Sequence, residues 1–324
     1  MSAPQGPDRT GPGHLALVGP TASGKSELAL ALAERRRAQG ELVELVTVDS
    51  MQVYRGMDIG TASPSAEERR RVPHHLVDIA DPGDEYSVAE FRAAADDTLA
   101  DLVARGGRAI LVGGTGLYLQ AVIDRLELPG RFPAVAATLD AEPDTEGLYR
   151  RLVELDPDAA ARIERGNRRR IVRALEVTLG SGRRFSEFGP GLDAYPSTPF
   201  VLCGLRVDRE LLGERIAARY AAQMDAGFLD EVRALAAGPG GLSRTAAQAL
   251  GYRELLAHLR GETTLEDALS LAIDRTRQFA VRQIRWFRRD PRIEWFDHDG
   301  DPLSVLDALD AHWRHAVDAS TPLA

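Results

Sequence analysis

Gly19-Pro20-Thr21-Ala22-Ser23-Gly24-Lys25-Ser26 satisfies every fixed position of the phosphate-binding loop G-x-x-x-x-G-K-[ST], and that loop dictates the structure on either side of it. Before it stands a short apolar run, His14–Val18, suited to a buried parallel strand; after it, Glu27–Arg37 is built almost wholly of helix formers. Strand, glycine turn and helix start together aim backbone N–H groups and the positive end of a helix at an anion. Composition sharpens the point: of 40 lysines and arginines, Lys25 is the only lysine. A guanidinium reads oxygens as a rigid planar fork, whereas an ammonium is a compact point charge that fits a narrow cradle. The eight loop residues are therefore the expected phosphate-binding set, with the Ser26 hydroxyl placed to ligate a Mg²⁺ that shares the phosphate oxygens. Which phosphate-bearing molecule the loop holds, ATP or another, it does not say.

A formal charge of −9 and a pI near 5.4 do not mark the whole chain as a nucleic-acid protein, so the local distribution of charge has to decide. The single cysteine, Cys203, excludes an internal disulfide, fits a reducing compartment and lies in an apolar stretch that reads as buried. No apolar stretch approaches the length of about 20 residues that spans a bilayer. Residues 1–13 are rich in proline and glycine, lack an apolar signal core and read as a disordered tail. The expectation is a soluble, cytoplasmic monomer.

The first third alternates strand and helix. Val43–Val48 predicts a strand closed by Asp49-Ser50, and a short strand is expected over His75–Ile79. Ser87-Val88-Ala89-Glu90 is a capping box opening a helix to about Ala104, and Arg108–Val112 is a strand ending in Gly113-Gly114-Thr115-Gly116 and a short helix. Such spacing implies a parallel sheet with both faces covered. The fold class expected is α/β: a P-loop NTPase-like parallel sheet core over 14–123 and 199–324, with a helical insertion domain at 124–198 and a helical C-terminal region. In the insertion, helices are expected near Glu146–Leu155, Pro157–Arg165 and Asn167–Leu179. Beyond it come a strand Phe200–Val207, helices Arg209–Asp225, Phe228–Ala237, Thr245–Leu259 and Leu265–Arg289, a strand Arg292–Phe296 and a terminal helix.

Positive charge is concentrated in two runs. Eight arginines lie between Arg162 and Arg184 against Glu164 and Glu176, and seven between Arg275 and Arg292 against Asp290 alone, the latter interleaved with Phe279, Trp286 and Phe287. A solvated helix face would account for one run. Two, in an otherwise acidic chain, point to a phosphate-backbone footprint.

Ligands of open α/β sheets bind beyond the carboxyl ends of the strands, where the loop, Asp49-Ser50-Met51-Gln52 and Gly113-Gly114-Thr115 converge. Asp49 at the end of an apolar strand has three readings: a Mg²⁺ ligand, a general base or acceptor for an incoming nucleophile, or a turn cap. Thr115 among glycines has an unencumbered backbone that lets its hydroxyl approach a phosphate oxygen, though Gly-Gly-Thr alone is a weak signal.

GPTASGKS, VDSMQVYRGMDIGTA (48–62), PHHLVD (73–78), LVGGTGLYLQA (111–121), RRIVRALEV (169–177), ALGYREL (249–255) and RQIRWFRRD (282–290) follow one another in this order. Together they resemble the tRNA dimethylallyltransferase family, over about residues 14 to 297. The resemblance implies that the cradle holds the diphosphate of dimethylallyl diphosphate, that the N6 amine of the adenosine beside the tRNA anticodon attacks the allylic carbon, and that diphosphate leaves. It implies that Lys25, the loop N–H groups, Ser26 through Mg²⁺, Thr115 and Arg219 (in ERIAARY, 214–220) stabilise the leaving group, with Asp49 taking the proton. The target base would be extruded, and the insertion and C-terminal helices would clasp the stem. Arg169, Arg170, Arg173, Gln248, Gly251, Arg253, Arg282, Gln283 and Arg288 fall on family positions that contact RNA, as do Asp49, Ser50, Met51, Gln52 and Thr115 around the target base. Three positions depart from the family pattern: Ala136, where many members have an RNA-touching arginine; Val281, where many have Lys or Arg; and Arg285, where many have Thr. The competing readings are a small-molecule or nucleotide kinase, an adenylate isopentenyltransferase, and an RNA-binding switch that uses nucleotide only as a signal.

Overall fold

Side-chain alternation along the first strand sets the layers. In β1 (His14–Val18), Leu15 and Leu17 face one apolar cluster while Ala16 and Val18 face another, and all five residues are buried. The computed structural model describes residues 13–189 and 191–320; residues 1–12 of the expected tail lie outside the described residues. After β1 come α1 (Lys25–Ala38), β2 (Val43–Val48), α2 (Ala66–Arg71), β3 (His74–His75), α3 (Val88–Ala104), β4 (Arg108–Gly113) and α4 (Gly116–Ile123). Then follow α5 (Pro133–Ala141), α6 (Thr145–Leu155), α7 (Pro157–Arg162) and α8 (Arg168–Ser181). The remainder is β5 (Phe200–Val207), α9 (Arg209–Asp225), α10 (Phe228–Ala237), α11 (Tyr252–Leu259), α12 (Leu265–Phe287), β6 (Glu294–His298) and α13 (Leu306–Ser320).

Six parallel strands form one sheet in the order β3-β2-β4-β1-β5-β6. Since β1 lies between β4 and β5, the phosphate loop emerges from the middle of the sheet, at the switch point where an α/β sheet takes its ligand. Helix α1 carries Glu27 in its first turn and Arg35, Arg36 and Arg37 in its last, which suits its dipole, and buries Leu28 and Leu32 against one face of the sheet with Trp313 of α13. Phe91 of α3, Ile216 of α9, Leu255 of α11 and Phe287 of α12 pack on the opposite face.

The chain divides into two units, 1–123 with 197–324, and 124–196. The second is a four-helix cluster, α5–α8, around Leu139, Leu148, Leu152, Ile171 and Leu175. Buried Asp156 caps α7 by accepting from Ala159 N (3.0 Å) and also accepts from Ser186 N (2.8 Å).

Several expected elements are corrected. The strand at His75–Ile79 is only His74–His75, because Leu76 (φ 61°) and Asp78 (φ 57°) adopt left-handed backbone that no strand accommodates. The helix at Thr245–Leu259 is broken: a single 3₁₀ turn at Ala246–Gln248 precedes Gly251 (φ 86°), and α11 begins only at Tyr252. Helix α7 stops at Arg162, not Arg165, and β6 runs two residues later than expected. Helices α2 and α5 are additional; the first is announced by a Ser65–Glu68 capping box and the second by Pro133 at its first turn.

Candidate active site

The loop between β1 and α1 has a tightly turned, closely packed backbone. Ala22 (φ 62°) and Gly24 (φ 86°) turn it through left-handed conformations. A Cβ at Gly19 would sit 2.9 Å from both the Leu205 carbonyl and Ser23 Oγ, so a side chain there would close the cradle. Ser23 is fully buried, and its Oγ has no hydrogen-bond partner.

Three side chains from the C-terminal half fix this loop. Gln283 of α12 accepts from Thr21 N at 2.8 Å. Arg219 of α9 donates Nη1 to Thr21 Oγ1 at 3.0 Å. His298, at the end of β6, donates Nε2–H to the Ser23 carbonyl at 3.0 Å, the tautomer following from Gly300 N donating to Nδ1.

Lys25 donates Nζ to the Pro20 carbonyl at 3.2 Å. It lines an open cavity and is half-buried. Burial pulls its pKa down to about 8, with Asp49 opposing that shift and Arg219 adding to it. Burial likewise lowers Arg219, against the pull of Tyr220 and Asp49. Both cations line the same cavity, and an anion entering it would relieve both.

Asp49 ends β2. Its Oδ1 accepts from Met51 N (2.8 Å) and Gln52 N (3.4 Å), forming a turn that holds the carboxylate still. The cap reading therefore holds for one oxygen, and Oδ2 is left for the cavity. Thr115 follows β4, and its Oγ1 accepts from Ser50 N at 3.2 Å, which joins the Asp49 and Thr115 loops. A Cβ at Gly113 would lie 2.0 Å from the Val48 carbonyl, so only glycine permits that approach. Gln52 donates Nε2 to the carbonyls of Thr61 and Ala62 and so braces the loop leading to α2.

Lys25, Ser26, Asp49, Thr115 and Arg219 all line one cavity of about 790 Å³, whose wall also carries Tyr252, Phe279 and Arg282. Glu231 of α10 supports it from behind, a residue that the motifs did not reveal. Its Oε2 accepts from Asp58 N (3.0 Å) and Ile59 N (2.7 Å), and its Oε1 from Gly60 N (3.1 Å) and Tyr252 OH (2.5 Å). Gly60 in turn offers its carbonyl to Arg219 Nη2 at 3.4 Å and to Gln223 Nε2 at 3.0 Å. No local signal betrays Glu231, because the three backbone N–H groups it holds, at Asp58, Ile59 and Gly60, are more than 170 residues away in sequence.

Residues 52 to 290 match the family model described as IPP transferase. The chain belongs to that family. It is 48% identical over 287 residues to the tRNA dimethylallyltransferase of Streptomyces coelicolor, covering 88% of this chain and 90% of the relative. Identity to the tRNA dimethylallyltransferase of Geobacter metallireducens is 46% over 297 residues, 90% and 94% of the two chains. The crystal structure of the full-length tRNA isopentenylpyrophosphate transferase from Bacillus halodurans matches with a TM-score of 0.70 at 35% identity, covering 95% of this chain and 98% of that one. Crystallographic snapshots of a eukaryotic dimethylallyltransferase acting on tRNA match with a TM-score of 0.74 at 27% identity, covering 93% and 77%.

The family's RNA-contact positions fall into two groups in this structure. Arg169 and Arg170 on α8, Arg282 and Arg288 at the end of α12, and Gln248 are exposed. Arg253 is half-buried, pairing with Glu254 at 2.9 Å and with Gln248 Oε1 at 3.4 Å. Arg173 is tied to Glu176 (2.8 Å) and to the carbonyls of Pro129 and Gly130. Burial would raise Glu254, but hydrogen bonds from Arg275 and Arg253 outweigh it and hold the carboxyl below its usual range. Gly251 is buried, with room for no side chain beneath Phe228. Gln283 is 6% exposed, and both ends of its amide are committed inside the protein. Gly251 offers no side chain to a second macromolecule, and Gln283 borders the cavity while both ends of its amide are held by Thr21 and Gly114.

Proposed function

We propose that this protein is a tRNA dimethylallyltransferase, moving the dimethylallyl group of dimethylallyl diphosphate onto the N6 amine of the adenosine 3′ of the anticodon and releasing diphosphate. Family membership supports the reaction, and one observation supports the site: a single cavity lined jointly by the cationic pair Lys25 and Arg219 and by Asp49 and Thr115. In this reading the N6 lone pair attacks the allylic carbon, the C–O bond breaks, and its electron pair leaves with the diphosphate. Lys25, Arg219 and the loop N–H groups of 19–24 meet the charge that develops there. Asp49 Oδ2 receives the proton from N6, and the Thr115 hydroxyl, oriented by Ser50 N, lies beside the same cavity.

The donor set fits Mg²⁺ in the manner of a phosphate-bound hard cation. Among the described residues no group of three or more His, Cys, Asp or Glu could cage a metal, while the Ser26 hydroxyl lines the cavity. Ser26, diphosphate oxygens and water would hold the ion, which supplies charge neutralisation to the leaving group when bound. The exposed arginines of α8 and α12 supply phosphate contacts to the anticodon stem-loop, and the target base leaves its stack to enter the cavity. We place the enzyme in the cytoplasm as a monomer, its one cysteine, Cys203, being a buried free thiol that suits a reducing compartment. The cradle chemistry also admits the phosphates of ATP as a competitor.

The test is incubation with labelled dimethylallyl diphosphate, Mg²⁺ and unmodified tRNA. Label should pass to the RNA; transfer to AMP alone, or ATP turnover with no transfer, would sink the proposal. Asp49→Asn should lower turnover by about 10²-fold or more and leave tRNA affinity intact, as expected for a lost general base. A parallel fall in binding and turnover would remove Asp49 from that role.

A further inference from the structure

Gln283 stands apart from the arginines of α12. That helix turns Ala272, Thr276, Ala280, Gln283 and Phe287 inward and Arg282, Arg285 and Arg288 outward, so Gln283 lies on the buried stripe. A carboxamide is expensive to bury unless its hydrogen bonds are made. Here they are: Oε1 accepts from Thr21 N at 2.8 Å, and Nε2 donates to the Gly114 carbonyl at 2.9 Å. The orientation of the amide is fixed by its partners, since an N–H faces one end and a C=O the other. Two glycines admit the helix. A Cβ at Gly114 would lie 2.2 Å from Gln283 Nε2, and one at Gly116 would lie 2.3 Å from the ring of Trp286, one turn further along.

The two loops spanned by this amide have different tasks in the proposed reaction. Thr21 belongs to the diphosphate cradle; Gly114 adjoins Thr115, whose hydroxyl meets Ser50 beside Asp49. We propose that Gln283, which borders the cavity, is a positioning residue that sets the spacing between the leaving-group loop and the Asp49–Thr115 end of the site. This rests on the reading of 19–26 as a diphosphate cradle. Displacing reacting groups by about 1 Å costs on the order of 10²-fold in rate. Loss of two hydrogen bonds, one part-buried and one buried, weakens what they hold by about tenfold.

Gln283→Met keeps the length of the side chain and removes both hydrogen bonds. The expected pattern is a split: kcat in single turnover falls by about 10²-fold and affinity for inorganic diphosphate by about tenfold, while KM for an anticodon stem-loop RNA stays within about twofold. Hydrogen exchange at the Thr21 amide should accelerate. Gln283→Glu keeps the acceptor for Thr21 N and loses the donor to Gly114, so it should preserve the slow Thr21 exchange and still lose rate. Gly114→Ala, which displaces the amide from the other side, should reproduce the Gln283→Met pattern if that variant folds poorly. RNA affinity falling as far as kcat, or Thr21 exchange and diphosphate affinity both unchanged in Gln283→Met, overturns the assignment. If the wild type binds no diphosphate but Thr21 exchange still rises in Gln283→Met, the cradle reading fails and the clamp stands.

Discussion

Glu231→Gln is the substitution whose consequence follows most directly from the hydrogen bonds. Each carboxylate oxygen accepts two: Oε2 from Asp58 N and Ile59 N, and Oε1 from Gly60 N and Tyr252 OH. Glutamine has the same shape but exchanges one oxygen for an NH₂ that cannot accept, so either flip orphans two donors. Each orphan costs about 1–3 kcal/mol, and partial exposure places the pair near the lower end, about 2–4 kcal/mol together. For a unit of this size that corresponds to a Tm lower by about 5–10 °C. The loss reaches the site as well, because a loosened Gly60 carbonyl no longer restrains Arg219 Nη2. KM for the diphosphate donor should therefore rise about 3–10-fold, the loss of one modest hydrogen bond. Thermal unfolding and donor titration would measure both. A double-mutant cycle sharpens the test. With Tyr252→Phe present, the amide can turn its NH₂ toward Gly60 and orphan only one donor, so Glu231→Gln should cost less in that background. A Tm within about 1 °C of wild type, or additivity within ~0.3 kcal/mol, refutes the reasoning.

The other expectations concern pH and RNA. His14 is 4% exposed, and its Nδ1 accepts from Ala109 N at 2.9 Å. Burial, helped by Arg108, holds its pKa near 4. A folded pKa below the unfolded value of about 6.5 means that the unfolded chain binds the extra proton, so this stability is present above pH 6.5 and is lost as pH falls through about 4, to a total of about 3 kcal/mol. His14→Asn, whose Oδ1 can replace Nδ1 as acceptor, should flatten denaturant-derived stability between those pH values relative to wild type; identical slopes would show that His14 does not carry it. Replacing exposed Arg169 and Arg170 together with alanine should weaken anticodon stem-loop binding and reduce the salt slope by about two phosphate contacts. An unchanged slope removes α8 from the RNA interface.

What the sequence disclosed about this fold and site depended on how local each signal was. Gly24, Lys25 and Ser26 complete their loop motif within eight residues, at the junction of β1 and α1 as that motif requires, and the Ser87–Glu90 box marks the start of α3 to the residue. Such patterns work because the atoms they join are neighbours along the chain. The strand forecast at His75–Ile79 failed where left-handed Leu76 and Asp78 break extended backbone, a conformation that no composition rule assigns to leucine. The arginine run of α8 could be read as charge but not as allegiance. Rotation about the helix sends Arg168 to the carbonyls of Leu139, Asp140 and Glu142 and Arg173 to Glu176, while Arg169 and Arg170 between them remain exposed. Neighbours in sequence thus divide between holding the helical unit together and offering charge to a partner. The same division explains Gln283, which sits beside Arg282 in a motif that resembles an RNA-binding signature yet points the other way, into Thr21 and Gly114. A motif records that a segment is needed; which face of the helix each residue occupies decides what it is needed for. Lys25 is the limiting case: the loop that names it is local, but the groups that tune it, Asp49 and Arg219, arrive from β2 and α9 and become its neighbours only in the folded chain.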